Sequence, residues 1–218
     1  MKVVSHKLTV PMAMLAVLVS GSVRADDVRI STAYRGGLDA KAQYCGYCHG
    51  SSGQGYRAYY TMPRLAGQQT EYFINQLRAF AEGRRDRHLV MNMRRVHGLS
   101  PALRAALAAR FANLSPRHSS NGPTEQIALG RQIYQDGVPE ANVPACAACH
   151  APDAKGAGQN ARLAGQLYSY TAKTLANWGK ERGQDPSHDD ASAVMAPVAR
   201  SMSRQQIAAV AAYLSSLK

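Results

Sequence analysis

The 218-residue chain has little cysteine and lacks any apolar segment long enough to cross a bilayer. All four cysteines fall within two short motifs, so none is left for a structural disulfide. A transmembrane helix needs about 20 apolar residues, whereas the apolar run at residues 10–19 is about half as long. The sequence also lacks convincing strand-like alternation. These absences argue against a membrane-spanning, a disulfide-stapled or a β-rich chain.

The apolar run has the setting of an export signal. Lys2 and Lys7 precede it, and Val23 and Ala25 place small residues at the two positions that a signal peptidase reads. The sequence therefore predicts that residues 1–25 are a cleaved signal peptide and that the mature chain reaches the periplasm. An uncleaved membrane anchor is the alternative, which the short apolar run disfavours.

The four cysteines form two copies of the motif Cys-x-x-Cys-His. Two thiols at this spacing add to the two vinyl groups of one porphyrin, and the imidazole of the next residue reaches the iron. The motifs therefore predict two covalently bound haem c groups. The attachment residues are Cys45, Cys48, Cys146 and Cys149, and the proximal iron ligands are His49 and His150.

Two other readings of Cys-x-x-Cys fit the sequence less well. A four-cysteine zinc site would merge both motifs into one centre and would give no role to the histidine that follows each of them. A dithiol redox centre usually follows a strand, and no strand pattern precedes either motif.

The chain repeats itself at an offset of about 100 residues. The two cysteine motifs are 101 residues apart, and the string Arg-Leu-Ala-Gly-Gln at residues 64–68 recurs at 162–166. A preserved order of motifs with small insertions is typical of a duplicated domain. We predict a first domain at 26–114, a polar, turn-rich linker at 115–123 and a second domain at 124–218.

Apolar residues within each half recur with helical period. Four such faces can be recognised, two in each half. Those of the first half are Phe73, Leu77, Phe80 and Leu103, Leu107, Phe111, Leu114. Those of the second half are Leu167, Thr171, Thr174, Trp178 and Ile207, Val210, Leu214, Leu217. Ser100 before Pro101 and Ser203 with Gln206 are good helix starts. The prediction is an all-α fold.

The sixth ligand of each iron is the remaining coordination question. In the second half Met195 is the candidate, since it lies in a loop-like stretch before the Ser203 cap. In the first half Met93 shares the Met-x-x-Val pattern with Met195 and is favoured over Met91, with His88 and His97 as further alternatives. Methionine is otherwise more often core filling, the role expected for Met62 and Met202.

The motif order, given twice, resembles the dihaem cytochrome c4 family over nearly the whole mature chain. It consists of the cysteine motif, the Arg-Leu-Ala-Gly-Gln string, an amphipathic helix, a methionine segment and a capped terminal helix. The resemblance implies two tandem class I cytochrome c domains related by a pseudo-twofold axis, with haem propionates facing the interface and His/Met ligation at both irons. It implies periplasmic electron transfer, often to a terminal oxidase. It also implies that a carbonyl before Leu-Ala-Gly-Gln accepts the proximal imidazole N–H. Pro63 suits this role, whereas the second half has Ala161 and its acceptor is left open.

Positive charge is concentrated in the first half. Residues 26–113 carry 13 basic and 6 acidic side chains, against 10 and 8 in residues 114–218. A basic group brackets the Met93 segment: Arg84, Arg85, Arg87, Arg94 and Arg95. We hypothesise that this face steers the chain to an acidic redox partner or an anionic membrane surface. A merely solvated basic surface is the alternative, and nucleic acid is not an expected partner of an exported haem protein.

Three functional classes follow. The favoured one is a carrier that passes electrons towards a terminal oxidase or another respiratory partner, without being an enzyme. The second is a dihaem subunit of a dehydrogenase, such as the partner of a flavoprotein sulfide dehydrogenase. The third, an enzyme with an open haem site, is disfavoured because both halves offer a methionine and no spare cysteine is available.

Overall fold

The computed structural model describes residues 25–57, 61–85, 93, 98–117, 121–182 and 191–218. It divides into two compact units, Met1–Arg35 and Gly36–Lys218. Of the first unit only the helical backbone from Ala25 onward is described, so the signal-peptide prediction lies almost entirely outside the described residues. Within the described residues, no helix is both long and apolar enough to cross a membrane.

The described residues of Gly36–Lys218 are helices joined by loops and hold no strand, only three isolated bridges. The helices are α1 (Ala25–His49), α2 (Thr70–Ala81), α3 (Pro101–Ala112), α4 (Ile127–Asp136), α5 (Ala147–His150), α6 (Tyr168–Ala176), α7 (Trp178–Glu181), α8 (Ala191–Ser201) and α9 (Arg204–Ser216). The predicted all-α class is confirmed, and the predicted domain boundaries stay a prediction.

The first half has its core between α2 and α3. Phe73 and Phe111 stack with ring centroids 5.5 Å apart, and Leu77 and Leu107 are each at most 7 % exposed. Ser100 caps α3, because its hydroxyl accepts the Leu103 N–H at 3.2 Å. The periodic residues predicted to face the core therefore do so.

The second half packs α4 and α6 against the C-terminal helix α9. Its centre is formed by Tyr134, Val210 and Leu214, each at most 2 % exposed. Ser203 begins α9 with the predicted capping box, since its hydroxyl accepts the Gln206 N–H while the Gln206 side chain accepts the Ser203 N–H. Such reciprocal bonds satisfy two backbone donors that a helix otherwise leaves free.

Two local expectations for the second half are wrong. Met195 lies in helix α8 rather than in a loop, although Pro197 stands inside that helix. Four of its eleven residues are alanine, the strongest helix former, and this offsets the one backbone hydrogen bond that a proline removes. Trp178 begins the separate helix α7, because the chain turns at Asn177 after α6 ends.

The two halves are joined by a reciprocal pair of glutamine contacts. The Gln166 side chain accepts the Arg64 N–H at 2.8 Å and donates to the Arg64 carbonyl at 3.0 Å. Gln68 makes the same pair with Arg162, at 2.7 and 3.1 Å. Each glutamine binds the backbone of the opposite half in the same way, as a pseudo-twofold axis requires.

Candidate haem-binding site

The loop after each cysteine motif has the same backbone path in both halves. The Gly55 N–H donates to the His49 carbonyl at 2.8 Å, and the Gly156 N–H donates to the His150 carbonyl at 2.9 Å. Both glycines have positive φ, and a Cβ would lie 2.7 Å from the Met62 carbonyl oxygen at Gly55 and 2.3 Å from the Asn160 oxygen at Gly156. Only glycine fits at these two positions, because the backbone that follows each histidine turns with positive φ and lies too close to another segment to leave room for a side chain.

Each proximal imidazole is oriented by a backbone carbonyl. The His49 Nδ1–H donates to the Pro63 carbonyl at 2.9 Å, as expected, and the His150 Nδ1–H donates to the Ala161 carbonyl at the same distance. Ala161 thus supplies the acceptor that the sequence left open, since a backbone carbonyl can accept a hydrogen bond whether or not its residue is proline. The ring nitrogen that remains on each side, Nε2, carries the lone pair that an iron would take.

Burial also keeps these imidazoles neutral. It lowers the pKa of both His49 and His150, partly opposed by the carbonyl that each ring donates to. The positive charge of Arg85 lowers the pKa of His49 further. A neutral imidazole is the form that binds a metal.

The cysteines are arranged for attachment rather than for redox exchange. None forms a disulfide, and burial raises the pKa of Cys45 and raises that of Cys146 to about 11. A dithiol exchange centre needs a lowered pKa. The described residues also hold no group of three or more histidine, cysteine or acidic side chains that could bind a metal ion, which argues against the zinc centre.

A single continuous cavity of about 570 Å³ connects the two motifs. Its lining includes Cys45, Cys48, His49 and Met93 from the first half, and Cys146, Cys149, His150 and Met195 from the second. The remaining walls are mostly apolar, with Phe80, Leu107 and Trp178 among them. Paired thiols, neutral imidazoles and thioethers around an apolar space form a donor set that fits two porphyrins.

The methionines differ in their surroundings. Met93 packs against the first core, and Met195 packs against Trp178 and Ala196. Met202 is 8 % exposed and belongs to the second core, as expected, although it also lines the cavity. Met62 lines the cavity as well, and its backbone pairs with Tyr56. The alternatives Met91, His88 and His97 lie outside the described residues.

The polar part of the lining is strongly basic. It contains one carboxylate, that of Glu181, and six cationic side chains: Lys41, Arg64, Arg85, Arg162, Lys173 and Arg182. Tyr72 and Tyr170 lie among them. No motif in the sequence points to Arg182, Tyr72 or Tyr170, although the 98-residue offset that relates Gln68 to Gln166 also relates the two tyrosines.

The basic group near Met93 is only partly a surface feature. Arg84 forms an ion pair with Glu82 at 2.7 Å, and Arg85 lies in the cavity lining, where its guanidinium is 4.3 Å from the Phe80 ring centroid. Arg87, Arg94 and Arg95 lie outside the described residues. Two of the five arginines of the hypothesised docking face are therefore engaged within the molecule.

Known proteins are similar to this chain over most of its length. Cytochrome c4 of Thiocapsa roseopersicina is 36% identical over 186 residues, which cover 82% of this chain and 90% of that protein. The chain belongs to the cytochrome c4 family. The family model for cytochrome c matches residues 127–218. The solved cytochrome c4 of Acidithiobacillus ferrooxidans is similar with a TM-score of 0.69 and 34% identity, covering 81% of this chain and 99% of that one.

Another relative is named for its electron donor. The thiosulfate dehydrogenase electron acceptor of Thiomonas intermedia (strain K12) is 35% identical over 179 residues, covering 80% of this chain and 79% of that protein.

Membership of the cytochrome c4 family defines the fold and the cofactor. The two helical halves are tandem class I cytochrome c domains, and the chain carries two covalently bound haem c groups. It is a c-type cytochrome that takes part in electron transfer.

Proposed function

We propose that this cytochrome is a periplasmic electron carrier with two His/Met-ligated haem c groups. In each half, two cysteines hold the porphyrin and the following histidine binds its iron: Cys45, Cys48 and His49 in the first, and Cys146, Cys149 and His150 in the second. Met93 and Met195 complete the two coordination spheres. The observation that carries this proposal is that all eight side chains line one cavity.

The protein's own groups set the properties of each centre. A bound haem c supplies a one-electron ferric/ferrous couple, and a thioether ligand raises its potential by stabilising ferrous iron. The Pro63 and Ala161 carbonyls fix each imidazole by accepting its Nδ1–H. Phe80 and Trp178 contribute apolar walls to the cavity. No substrate needs to reach the iron, which distinguishes a carrier from an enzyme with an open site.

Ligation is testable by a redox titration with optical and paramagnetic spectra. We expect two low-spin centres that both show the far-red band of methionine-ligated ferric iron. The variants Met93→Leu and Met195→Leu should each remove half of that band and lower one midpoint potential. Met62→Leu is the control, because this side chain lines the same cavity without a proposed role. Loss of the band in Met62→Leu, or its retention in Met93→Leu, would contradict the ligand assignment.

Export forms part of the same proposal. The support is the charged, apolar and small-residue order of residues 1–25. Mass spectrometry of the naturally matured protein should give a chain that begins at Asp26 and carries two haem groups. A product that retains residues 1–25 would instead favour the membrane anchor.

For the partner, we propose a respiratory redox protein, with a membrane-bound terminal oxidase as first candidate. The basic first half would assist docking to it or to an anionic membrane surface. The test is the rate of electron transfer to oxidase-containing membranes as ionic strength rises. The rate should fall if exposed charge steers the encounter, and an unchanged rate would refute steering.

A dehydrogenase is the second candidate partner, in the role of electron donor. The support is the likeness to relatives named as electron acceptors of thiosulfate dehydrogenase, at 30% and 35% identity. Reduction of the purified cytochrome by such a dehydrogenase with thiosulfate would favour this function. Failure of that reduction would argue against such a dehydrogenase as the electron donor, and oxidation by the membranes tests the proposed acceptor separately.

A further inference from the structure

The cavity carries more positive charge than its own side chains neutralise. The described lining holds six cationic groups and one carboxylate, that of Glu181, which already lies 3.8 Å from the Lys173 ammonium. Lys41 and Lys173 are exposed, whereas Arg64 and Arg182 are each 5 % exposed. A buried charge is costly unless it is paired, so the buried part of this group favours an anionic occupant. The two haem groups bring four propionate carboxylates.

Arg182 is a buried cation that contacts both halves. It is 5 % exposed, and it donates to the Tyr72 hydroxyl of the first half at 2.8 Å and to the Tyr170 hydroxyl of the second at 2.7 Å. Its guanidinium lies 5.0 Å from the Trp178 ring centroid. Its Nε is buried and has no hydrogen-bond partner, and this leaves a charged donor available to a ligand.

Arg85 occupies the related place in the first half. It donates to Gln76 at 2.8 Å and, across the interface, to the Tyr170 hydroxyl at 3.0 Å. The Tyr170 hydroxyl thus lies between two guanidiniums, one from each half. Burial works to raise the pKa of Tyr170, but Arg182 and Arg85 outweigh it and lower that pKa to about 8. The lowered pKa of the Tyr170 hydroxyl indicates that positive charge is in excess around it.

We propose that Arg85 and Arg182, held by the Tyr170 and Tyr72 hydroxyls, bind haem propionates at the interface and raise the potentials of the two irons. This proposal rests on the proposed function, since it requires a haem in each half. Tyr170 is a positioning residue, because it acts only through the two arginines that it aligns.

The two arginines act mainly on different irons. Arg85 lies over the Phe80 ring, which belongs to the core cluster that Met93, the proposed ligand of the first iron, packs against. Arg182 lies over Trp178, which packs against Met195, the proposed ligand of the second. A positive charge near the iron favours the ferrous state. Loss of one such charge from a partly buried position changes the ferrous-to-ferric ratio by about tenfold. For a one-electron couple, tenfold is about 59 mV.

The test uses the full holoprotein with Arg85→Gln and Arg182→Gln, after mass and optical spectra have shown two low-spin haem groups. Arg85→Gln should lower mainly the first midpoint potential, and Arg182→Gln mainly the second. Each potential should also become dependent on pH, because a propionate without its arginine partner titrates nearer neutrality. Arg85→Lys should retain most of the potential, since it keeps the charge.

Matched variants separate this role from general damage. Arg84→Gln removes the neighbouring charge, which is paired with Glu82 rather than placed in the cavity lining, and should leave both potentials unchanged. Tyr170→Phe should lower both potentials, whereas Tyr168→Phe, outside the lining, should lower neither. If Arg85→Gln and Arg182→Gln behave like Arg84→Gln while two low-spin haem groups remain, this inference is wrong and the carrier function stands. A natural protein without two such groups would instead refute the proposed function.

Discussion

Removal of the Gln166 side chain is expected to destabilise the contact between the two halves strongly. The side chain is 7 % exposed and satisfies both backbone groups of Arg64, at 2.8 and 3.0 Å. In Gln166→Ala the buried Arg64 N–H and carbonyl would lose their partner, and each such group costs about 1 to 3 kcal/mol. Because the two losses share one site and are not fully additive, we expect a total of about 2 to 4 kcal/mol.

Gln68→Ala provides an internal comparison. It removes the equivalent pair of bonds to Arg162, at 2.7 and 3.1 Å, in less buried surroundings. Water can replace part of what is lost there, so we expect a smaller cost of about 1 to 3 kcal/mol. The double variant should cost less than the sum of the two single ones, since both remove the same interface.

The assay is guanidinium denaturation of the holoprotein, followed by haem absorbance and far-ultraviolet circular dichroism. Gln135→Ala is the control, because Gln135 is exposed on α4 and its loss should change the unfolding free energy by at most about 0.5 kcal/mol. If Gln166→Ala lies within that range, or if Gln68→Ala costs clearly more, the reasoning about buried backbone groups at the interface is refuted.

Three further predictions concern single positions. Gly130→Ala places a Cβ 2.0 Å from the Ala209 carbonyl oxygen, so it should destabilise the protein by at least about 1 to 3 kcal/mol in a thermal melt. In the control Gly179→Ala the new Cβ meets nothing within 4 Å, so this variant should be neutral or slightly stabilising. Ala161→Pro introduces the residue type found at Pro63 and should keep the His150 hydrogen bond to the backbone carbonyl. We expect an unchanged low-spin spectrum and an unfolding free energy higher by about 0.4 to 1 kcal/mol. A high-spin second haem would contradict this prediction. Ser203→Ala removes the hydroxyl that accepts the Gln206 N–H, whereas the backbone N–H at position 203 can still donate to the Gln206 side chain. The variant should cost about 1 kcal/mol in denaturant unfolding, and a loss below about 0.3 kcal/mol would argue against the cap.

Local patterns account for much of the fold. The period of the apolar residues predicts α2, α3 and α9, because one helix face packs against the core while the other meets water. The Ser203 cap depends on residues three positions apart, so the sequence alone reveals it. The sequence does not predict helix α8, because a proline such as Pro197 usually marks a break and the favourable propensity of the alanines is a weaker signal.

Some features of the candidate site follow from the local sequence, whereas others depend on tertiary contacts. The order of Cys45, Cys48 and His49, repeated at 146, 149 and 150, by itself determined the chemistry of attachment, because a porphyrin needs two thiols and an imidazole at fixed short spacing. The three-dimensional contacts are needed to show that Ala161 supplies the carbonyl for His150 and that Arg85 lines the cavity beside Tyr170. These contacts join residues of distant segments or opposite halves, and the physical reason for them is the need to pair buried polar groups, which no local pattern records.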